Sequence, residues 1–159
     1  MNFSLLKASK EDIGVIRNLM QFYMYDFSEF IKYDVEETGL FAPYPNLEEY
    51  WEDSNKFPYI IENDGKHVGF VLVKFTQAER LNYFSIAEFF ILKKYRFSGV
   101  GKSVAIQIFD LHKGNWEVHQ RSSNKPAQVF WVKVINEYSK GEFQERTESD
   151  KRIQTFKNG

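Results

Sequence analysis

The sequence predicts a mixed α/β fold in which helices flank a mostly antiparallel sheet. The chain has 159 residues, 43% of them apolar, enough for one domain with a buried core, which we expect to span residues 1–159. Two β-rich segments meet at a tight turn, which predicts an antiparallel hairpin. Further along, a strand, a helix and a strand follow one another directly, which predicts a parallel pair.

The N-terminal part predicts an edge strand followed by an amphipathic helix. Residues 2–7 form a short apolar run, and Ser9 with Asp12 resembles a capping box that opens a helix. From about residue 10 to about residue 28, apolar side chains recur every three or four residues, as in one buried helix face. They are Ile13, Ile16, Met20, Tyr23, Met24 and Phe27.

Residues 28–58 lose this periodicity, which predicts a loop-rich segment with one short helix near Tyr50. The segments at 59–63 and 66–76 flank Asp64-Gly65, a pair that favours a type I′ hairpin turn. A third strand is predicted at 83–92, and its continuous apolar stretch indicates burial in the middle of the sheet.

The C-terminal part predicts the parallel pair and a closing hairpin. A helix from 99 to 113 precedes a strand at 116–120, so that strand should run parallel to the strand at 83–92. Pro126 suits the first turn of another helix, which should end before Gly141. The polar tail at 142–156 predicts a hairpin.

Composition excludes several classes of function. Lys and Arg total 21 against 22 Asp and Glu, so no global field favours nucleic acid or anionic lipid. The chain has no Cys, which excludes disulfides, thiolate metal sites and a Cys nucleophile. The spacing of His67, His112 and His119 resembles no metal site. We expect a cytoplasmic protein without a metal, a membrane span or a nucleic-acid partner.

The segment from Arg96 to Ser103 is the main candidate for chemistry. Gly99 and Gly101 would let the backbone approach a ligand, and the N–H groups that open the helix would bind a phosphate or pyrophosphate. Alternatively, the glycines only relieve a tight turn. A P-loop is a further alternative, because Gly101-Lys102-Ser103 matches its second half, but its first glycine falls on Arg96.

The pattern R-x-x-G-x-G at 96–101 follows a buried strand and precedes N-x-x-A at Asn124 and Ala127. In this order the motifs resemble the cofactor-binding half of the GNAT superfamily of N-acetyltransferases, over residues 87–138. The resemblance implies a single GNAT-like domain whose sheet splays at the parallel pair. It also implies direct acetyl transfer from acetyl-CoA to a primary amine of a small molecule or peptide.

The same resemblance implies cofactor-binding residues. The pyrophosphate of acetyl-CoA would bind the backbone of Arg96, Phe97, Ser98, Gly99, Val100, Gly101 and Lys102. The pantetheine arm would contact a bulge at Phe90, Ile91 and Leu92, together with Asn124.

Direct transfer needs a base, because most amines are protonated at neutral pH. Glu88 is the first candidate, since burial in an apolar strand would raise the pKa of its carboxyl group. Alternatively, Glu88 faces solvent or pairs with a lysine. His119 is the second candidate base.

The leaving thiolate also needs a proton. The position of the family's usual tyrosine acid is Trp131 in this chain, and Trp131 cannot supply a proton, so Tyr138 or solvent would protonate the thiolate.

The acceptor site is expected in the first helix and the segment that follows it. Its aromatic members would be Tyr23, Tyr25, Phe27 and Trp51, and its acids Asp26, Glu29, Asp34, Glu36 and Glu37. These acids would attract a cationic amine, or they would simply form a solvated loop. A non-catalytic acyl-CoA-binding module on the same fold is an alternative function, and aromatic surface would permit a homodimer.

Overall fold

The computed structural model describes residues 2–159. The helices are α1 (Ile13–Phe27), α2 (Glu49–Glu52), α3 (Val100–Leu111) and α4 (Lys125–Ser139). The strands are β1 (Phe3–Lys7), β2 (Lys56–Asn63), β3 (Lys66–Gln77), β4 (Asn82–Ile91), β5 (Gly114–Arg121), β6 (Gln144–Glu148) and β7 (Lys151–Asn158). Each predicted element is present within a few residues of its expected bounds.

Within residues 2–159, the seven strands form one sheet in the order β1-β2-β3-β4-β5-β7-β6. β4 is the central strand, as its apolar sequence predicted. β4 and β5 are parallel, with Phe84 opposite Trp116, while β1–β2, β5–β7 and β6–β7 are antiparallel. The predicted combination of an antiparallel hairpin and a parallel pair is therefore confirmed.

Local chemistry explains the turn and the first helix. Asp64 and Gly65 have φ values of 50° and 79°, the two positive angles that a type I′ turn requires. Before α1, the backbone N–H of Ser9 donates a hydrogen bond to the Asp12 carboxylate at 2.8 Å. This contact satisfies a donor at the start of the helical segment, as the predicted capping box would.

The residue contacts divide the chain into two compact units, and β3 and β4 contribute residues to both. The first unit comprises residues 2–72 and 88–95. Its core includes Ile16 and Met20 from α1 and the central residues of β2 and β3. Gly69 allows close packing within this unit, because a Cβ atom there would lie 2.0 Å from the carbonyl oxygen of Phe90.

The second unit comprises residues 73–87 and 96–159. Its core centres on Phe109 of α3, which packs on Trp116 and Phe156 with ring centroids 4.9 Å away in each case. The C-terminal hairpin is less polar than its sequence suggested. β6 is exposed throughout, but β7 lies between β5 and β6 and buries Ile153 and Phe156.

No helix in the described part of the chain is both long enough and apolar enough to cross a lipid bilayer.

Candidate active site

The glycine-rich segment forms the expected tight junction before α3. Gly99 has a φ of +84°, a left-handed conformation that strains residues with a side chain, and it directly precedes the first helical residue, Val100. A Cβ at Gly99 would meet no atom within 4 Å, so the space above this residue is open. The N–H groups of the first helical turn have no acceptor four residues earlier, which makes this end of α3 suited to an anion.

Two side chains of this junction, those of Phe97 and Lys102, are directed outward and to α4 respectively. Phe97 is fully exposed, with a φ of 64°. The ammonium group of Lys102 forms an ion pair with Glu137 of α4 and lowers the pKa of that carboxyl group by hydrogen bonding. This ion pair lies at the surface, because the Lys102 side chain is 51% exposed, and the anion-binding role of the junction stays a prediction. The P-loop alternative gains no support from this arrangement.

The predicted N-x-x-A motif opens α4. The side-chain oxygen of Asn124 accepts a hydrogen bond from the backbone N–H of Ala127 at 3.2 Å, so Asn124 caps the helix. Trp131, one turn further along, is buried against Phe130 and Phe109. The position where the family resemblance implied a tyrosine is thus part of the core of the second unit.

The candidate acid Tyr138 lies near the C-terminal end of α4, whereas Asn124 caps its N-terminal end. Its hydroxyl donates to Asp110 at 2.7 Å and accepts from the side-chain amide of Asn158 at 3.1 Å. Burial and the hydrogen bond to Asp110 raise its pKa. Thirteen helical steps separate Lys125 from Tyr138, about 20 Å at the usual rise. These contacts favour a role in joining α3, α4 and β7, and an acid role for Tyr138 stays a prediction.

The histidines lie on separate elements. His119 is exposed on β5, opposite Ile153 of β7, and His67 is on β3, 3.3 Å from Glu62. His112 is buried after α3, and burial lowers its pKa. Within residues 2–159, no group of three His, Asp or Glu side chains is arranged to hold a metal ion.

Glu88 lies among tyrosines contributed by α1 and by the segment around α2. One of its carboxylate oxygens, Oε2, is shielded from solvent. The charge of Glu88 acts on the hydroxyl groups of Tyr23, Tyr44 and Tyr50, so these three tyrosines lie within electrostatic range of this carboxylate. We call Glu88, Tyr23, Tyr44 and Tyr50 the Glu88 cluster. Glu88 as a whole is half-buried, and its role as a base stays a prediction.

Burial and the carboxylate together keep these tyrosines protonated. Burial, followed by the charge of Glu88, raises the pKa of Tyr23 well above its ordinary value. The same two causes raise the pKa of Tyr44 to about 12, and burial raises that of Tyr50 further. At neutral pH the cluster therefore presents phenol groups that can donate hydrogen bonds to the carboxylate.

The free energy of unfolding should fall as the pH rises from about 10 toward about 12. An unfolded tyrosine loses its proton near pH 10, whereas folded Tyr44 keeps its proton to a higher pH. The unfolded state therefore binds fewer protons in this range, and raising the pH favours it. Denaturant unfolding at several alkaline pH values should show a shallower decline for Tyr44→Phe than for wild type. Equal slopes for the two proteins would contradict the prediction, and Tyr25→Phe, on an exposed side chain, is the control.

The structure places the predicted acceptor acids at the surface. Glu29, Asp34, Glu36 and Glu37 are exposed, and Asp26 lies 3.5 Å from the ammonium group of Lys93.

The predicted aromatic residues of the acceptor site lie in different surroundings. Tyr23 belongs to the Glu88 cluster. Tyr25 is exposed, Phe27 packs on Tyr23, and the indole of Trp51 donates a hydrogen bond to the carbonyl oxygen of Ser9.

Sequence reasoning missed three residues near the predicted site. Tyr44 lies in a loop without periodicity, and Tyr50 was interpreted as an apolar helix residue. Gly69 gave no signal beyond a glycine within a strand pattern, which suggests a bulge or a close backbone approach. Its neighbour Val68 accepts a hydrogen bond from the N–H of Leu92 at 2.9 Å, which anchors the chain just after β4.

Solved structures with the same fold are numerous. An acetyltransferase of the GNAT family from Streptococcus agalactiae aligns with 14% identity and a TM-score of 0.68, over 99% of this chain and 96% of its own. The PaiA N-acetyltransferase from Thermoplasma acidophilum, solved with coenzyme A, aligns with 13% identity and a TM-score of 0.66, over 99% of both chains.

A variant of the spermidine N-acetyltransferase SpeG from Vibrio cholerae aligns with 14% identity and a TM-score of 0.63, over 98% of this chain and 93% of its own. These similarities confirm the predicted GNAT-like fold. No protein with a curated description matches the sequence.

The model of the acetyltransferase (GNAT) family matches residues 17–135, which is most of the chain. The matched region contains the Glu88 cluster, the glycine-rich junction and the N-x-x-A motif. The chain therefore belongs to the GNAT family of acetyltransferases.

Proposed function

We propose that this protein transfers an acetyl group from acetyl-CoA directly to a primary amine of a small molecule or peptide. The observation that carries the proposal is the order of two features along the chain at β4 and directly after it. This strand holds a carboxylate among tyrosines, and the chain then continues into the glycine-rich junction that opens α3. Along the sequence, the candidate base Glu88 comes just before the residues implied to contact the donor, Phe90 to Leu92, and the candidate anion site comes just after them.

The junction fits the pyrophosphate of the donor. Open space above Gly99 and the N–H groups of the first turn of α3 suit an anion that approaches the backbone closely. The proposed binding residues are those from Arg96 to Lys102, with Phe90, Ile91, Leu92 and Asn124 along the pantetheine arm. When bound, acetyl-CoA supplies an activated acetyl thioester.

Glu88 would accept the proton that the amine loses on attack. Glu88 and Phe90 are two residues apart on β4, so their side chains lie on the same face of the strand. A backbone N–H at Phe90–Leu92 would donate to the acetyl carbonyl oxygen as negative charge develops. A carbon–nitrogen bond forms, the carbon–sulfur bond breaks, and the departing thiolate takes a proton from solvent.

The acceptor would be recognised by the Glu88 cluster. A carboxylate surrounded by phenol groups favours a polar, hydrogen-bonding amine, and aromatic faces attract its cationic form. The exposed acids at Asp34, Glu36 and Glu37 would add long-range attraction for a polyamine, an aminoglycoside or a basic peptide. Spermidine N-acetyltransferase among the fold relatives makes polyamines a sensible first group to test.

Thermal unfolding with acetyl-CoA, CoA and Mg-ATP in parallel tests the donor. A ligand at about 100 times its dissociation constant stabilises the folded state by about 2.7 kcal/mol, so both CoA species should raise the midpoint by several degrees and Mg-ATP should not. An amine panel, followed by release of CoA thiol, then tests transfer. A midpoint raised by Mg-ATP alone would contradict the proposal, whereas CoA binding without transfer to any amine would support the non-catalytic alternative.

A further inference from the structure

We propose that Gln128 is a positioning residue that holds Asn124 in the place from which its side chain contacts the pantetheine arm of the donor. The inference rests on the proposed function, because it requires the protein to bind CoA through Asn124. Gln128 acts through the chain segment that carries Asn124, and it does not touch the donor itself.

Asn124 lies in a short connection between β5 and α4, residues 121–124, which we call the Asn124 loop. The side-chain oxygen of Asn124 caps α4 by accepting a hydrogen bond from the N–H of Ala127 at 3.2 Å. This cap does not use the side-chain nitrogen, which carries two N–H donors. The nitrogen can therefore donate to a carbonyl group of the pantetheine arm when the loop holds Asn124 in a fixed place.

Gln128, at the end of the first turn of α4, folds its side chain back onto the Asn124 loop. Its amide nitrogen donates to the carbonyl oxygen of Arg121 at 2.8 Å and to that of Ser122 at 3.0 Å. Its backbone N–H donates to the carbonyl oxygen of Asn124 at 3.2 Å. Gln128 thus binds three of the loop residues, through both its side chain and its main chain.

The surroundings of Gln128 fix the orientation of its amide. The residue is 3% exposed. Its side-chain oxygen lies 3.4 Å from the guanidinium group of Arg152 on β7, which is paired in turn with Glu145 of β6. With two carbonyl oxygens at one end of the amide and a guanidinium group at the other, only one orientation satisfies both ends.

The remaining contacts of the Asn124 loop attach mainly its first residues. The N–H of Ser122 donates to the carbonyl oxygen of Asp150 at 2.7 Å, and the Arg121 side chain forms an exposed ion pair with Asp150 at 2.8 Å. The carbonyl oxygen of Arg121 accepts hydrogen bonds from the N–H of Asn124, at 3.0 Å, and from Gln128. Gln128 is therefore a buried side chain that ties the two ends of the loop together.

The test compares two ligands that differ in the pantetheine arm. CoA carries this arm, whereas 3′-phospho-ADP, its nucleotide half, ends at the diphosphate. Gln128→Met keeps about the same side-chain length and removes the amide. In calorimetry this variant should bind CoA about 3- to 10-fold more weakly than wild type, the effect of one weakened hydrogen bond, and should bind 3′-phospho-ADP as wild type does. General damage to the fold would weaken the binding of both ligands.

A double-mutant cycle tests whether the effect passes through Asn124. Asn124→Ser keeps a side-chain oxygen that can cap α4 but removes the amide. In this background Gln128→Met should cause no further loss of CoA affinity, because the donor group that Gln128 positions is gone. Losses that multiply in the double variant would overturn the positioning role.

Gln120→Met is the matched control. Gln120 is also buried, on β5 directly before the Asn124 loop, and its side chain exchanges hydrogen bonds of 2.7 and 3.0 Å with Gln154. This variant loses buried amide hydrogen bonds without removing those to the carbonyl groups of the loop. Its affinity for CoA should stay within about twofold of wild type, even where its unfolding midpoint falls.

Gln128→Glu keeps the test valid if Gln128→Met is poorly folded. At neutral pH the carboxylate keeps an oxygen toward Arg152 but has no N–H to donate to the loop. This variant should therefore show the same loss of affinity for CoA and none for 3′-phospho-ADP.

The possible failures are distinguishable. Wild-type CoA affinity in both Gln128 variants, equal losses for CoA and 3′-phospho-ADP, or the same loss in Gln120→Met would overturn the positioning role while leaving the transferase function intact. A wild-type protein that does not bind CoA would overturn the proposed function and this inference together.

Discussion

Glu88→Gln is expected to lower kcat by about 10²- to 10⁴-fold, the usual contribution of a general base. The amide keeps the size of the side chain and its place beside Tyr23, but it cannot accept the proton of the attacking amine. CoA affinity should stay near the wild-type value, because the proposed pyrophosphate contacts come from the junction before α3. Steady-state kinetics at saturating acetyl-CoA, together with calorimetric titration of CoA, measure the two effects separately.

Glu62→Gln provides a matched control for this experiment. Glu62 is a partly buried glutamate on β2 that lies beside His67 and outside the Glu88 cluster. Its substitution should leave kcat within about twofold of wild type, as expected for a residue that is not part of the chemistry. Turnover by Glu88→Gln at the wild-type rate would show that another group, or water alone, removes the proton.

Gly69→Ala is expected to destabilise the protein by about 1–3 kcal/mol or more, as overpacking does where atoms cannot move aside. The new Cβ would lie 2.0 Å from the carbonyl oxygen of Phe90 and 3.1 Å from the Cα of Ile91, both of them backbone atoms of β4. β4 would have to shift at the residues proposed to contact the pantetheine arm. We therefore expect a lower unfolding midpoint and weaker CoA binding.

The same substitution at Gly14 should have the opposite effect on stability. Gly14 is an exposed residue of α1, and a Cβ there would meet no atom within 4 Å. Replacing a helical glycine by alanine usually stabilises by up to about 1 kcal/mol, because the unfolded chain loses freedom. If Gly69→Ala unfolded at the same denaturant concentration as wild type, the close approach of β3 and β4 would not constrain the sequence.

Local signals in the sequence predicted most of the fold. The positive φ angles of Asp64 and Gly65 follow from the preference of that pair for a type I′ turn. The capping contact between Ser9 and Asp12 and the apolar stripe of the first helix are likewise properties of neighbouring residues. Such features are encoded within one or two helical turns, so no tertiary information was needed to find them.

The candidate site was only partly predictable, because its members are far apart in the chain. Glu88 was noticeable as a carboxylate in an apolar strand, and the glycine-rich junction as a motif. Tyr44 gave no comparable signal, since a tyrosine in an irregular segment is usually a surface or packing residue, and Tyr50 matched the apolar side of a short helix. Tyr138 was predicted as an acid, and the structure shows its hydroxyl in hydrogen bonds with Asp110 and Asn158, which the sequence did not indicate.

The sequence by itself determined the succession of helices and strands, the tight turn, the parallel pair and the motifs that resemble the GNAT family. These depend on backbone preferences and on the periodicity of apolar residues, which act over short distances along the chain. Tertiary structure decided which side chains surround Glu88 and where Gly69 must be a glycine. Both depend on packing between segments distant in sequence, where the position of each atom is set by the whole core.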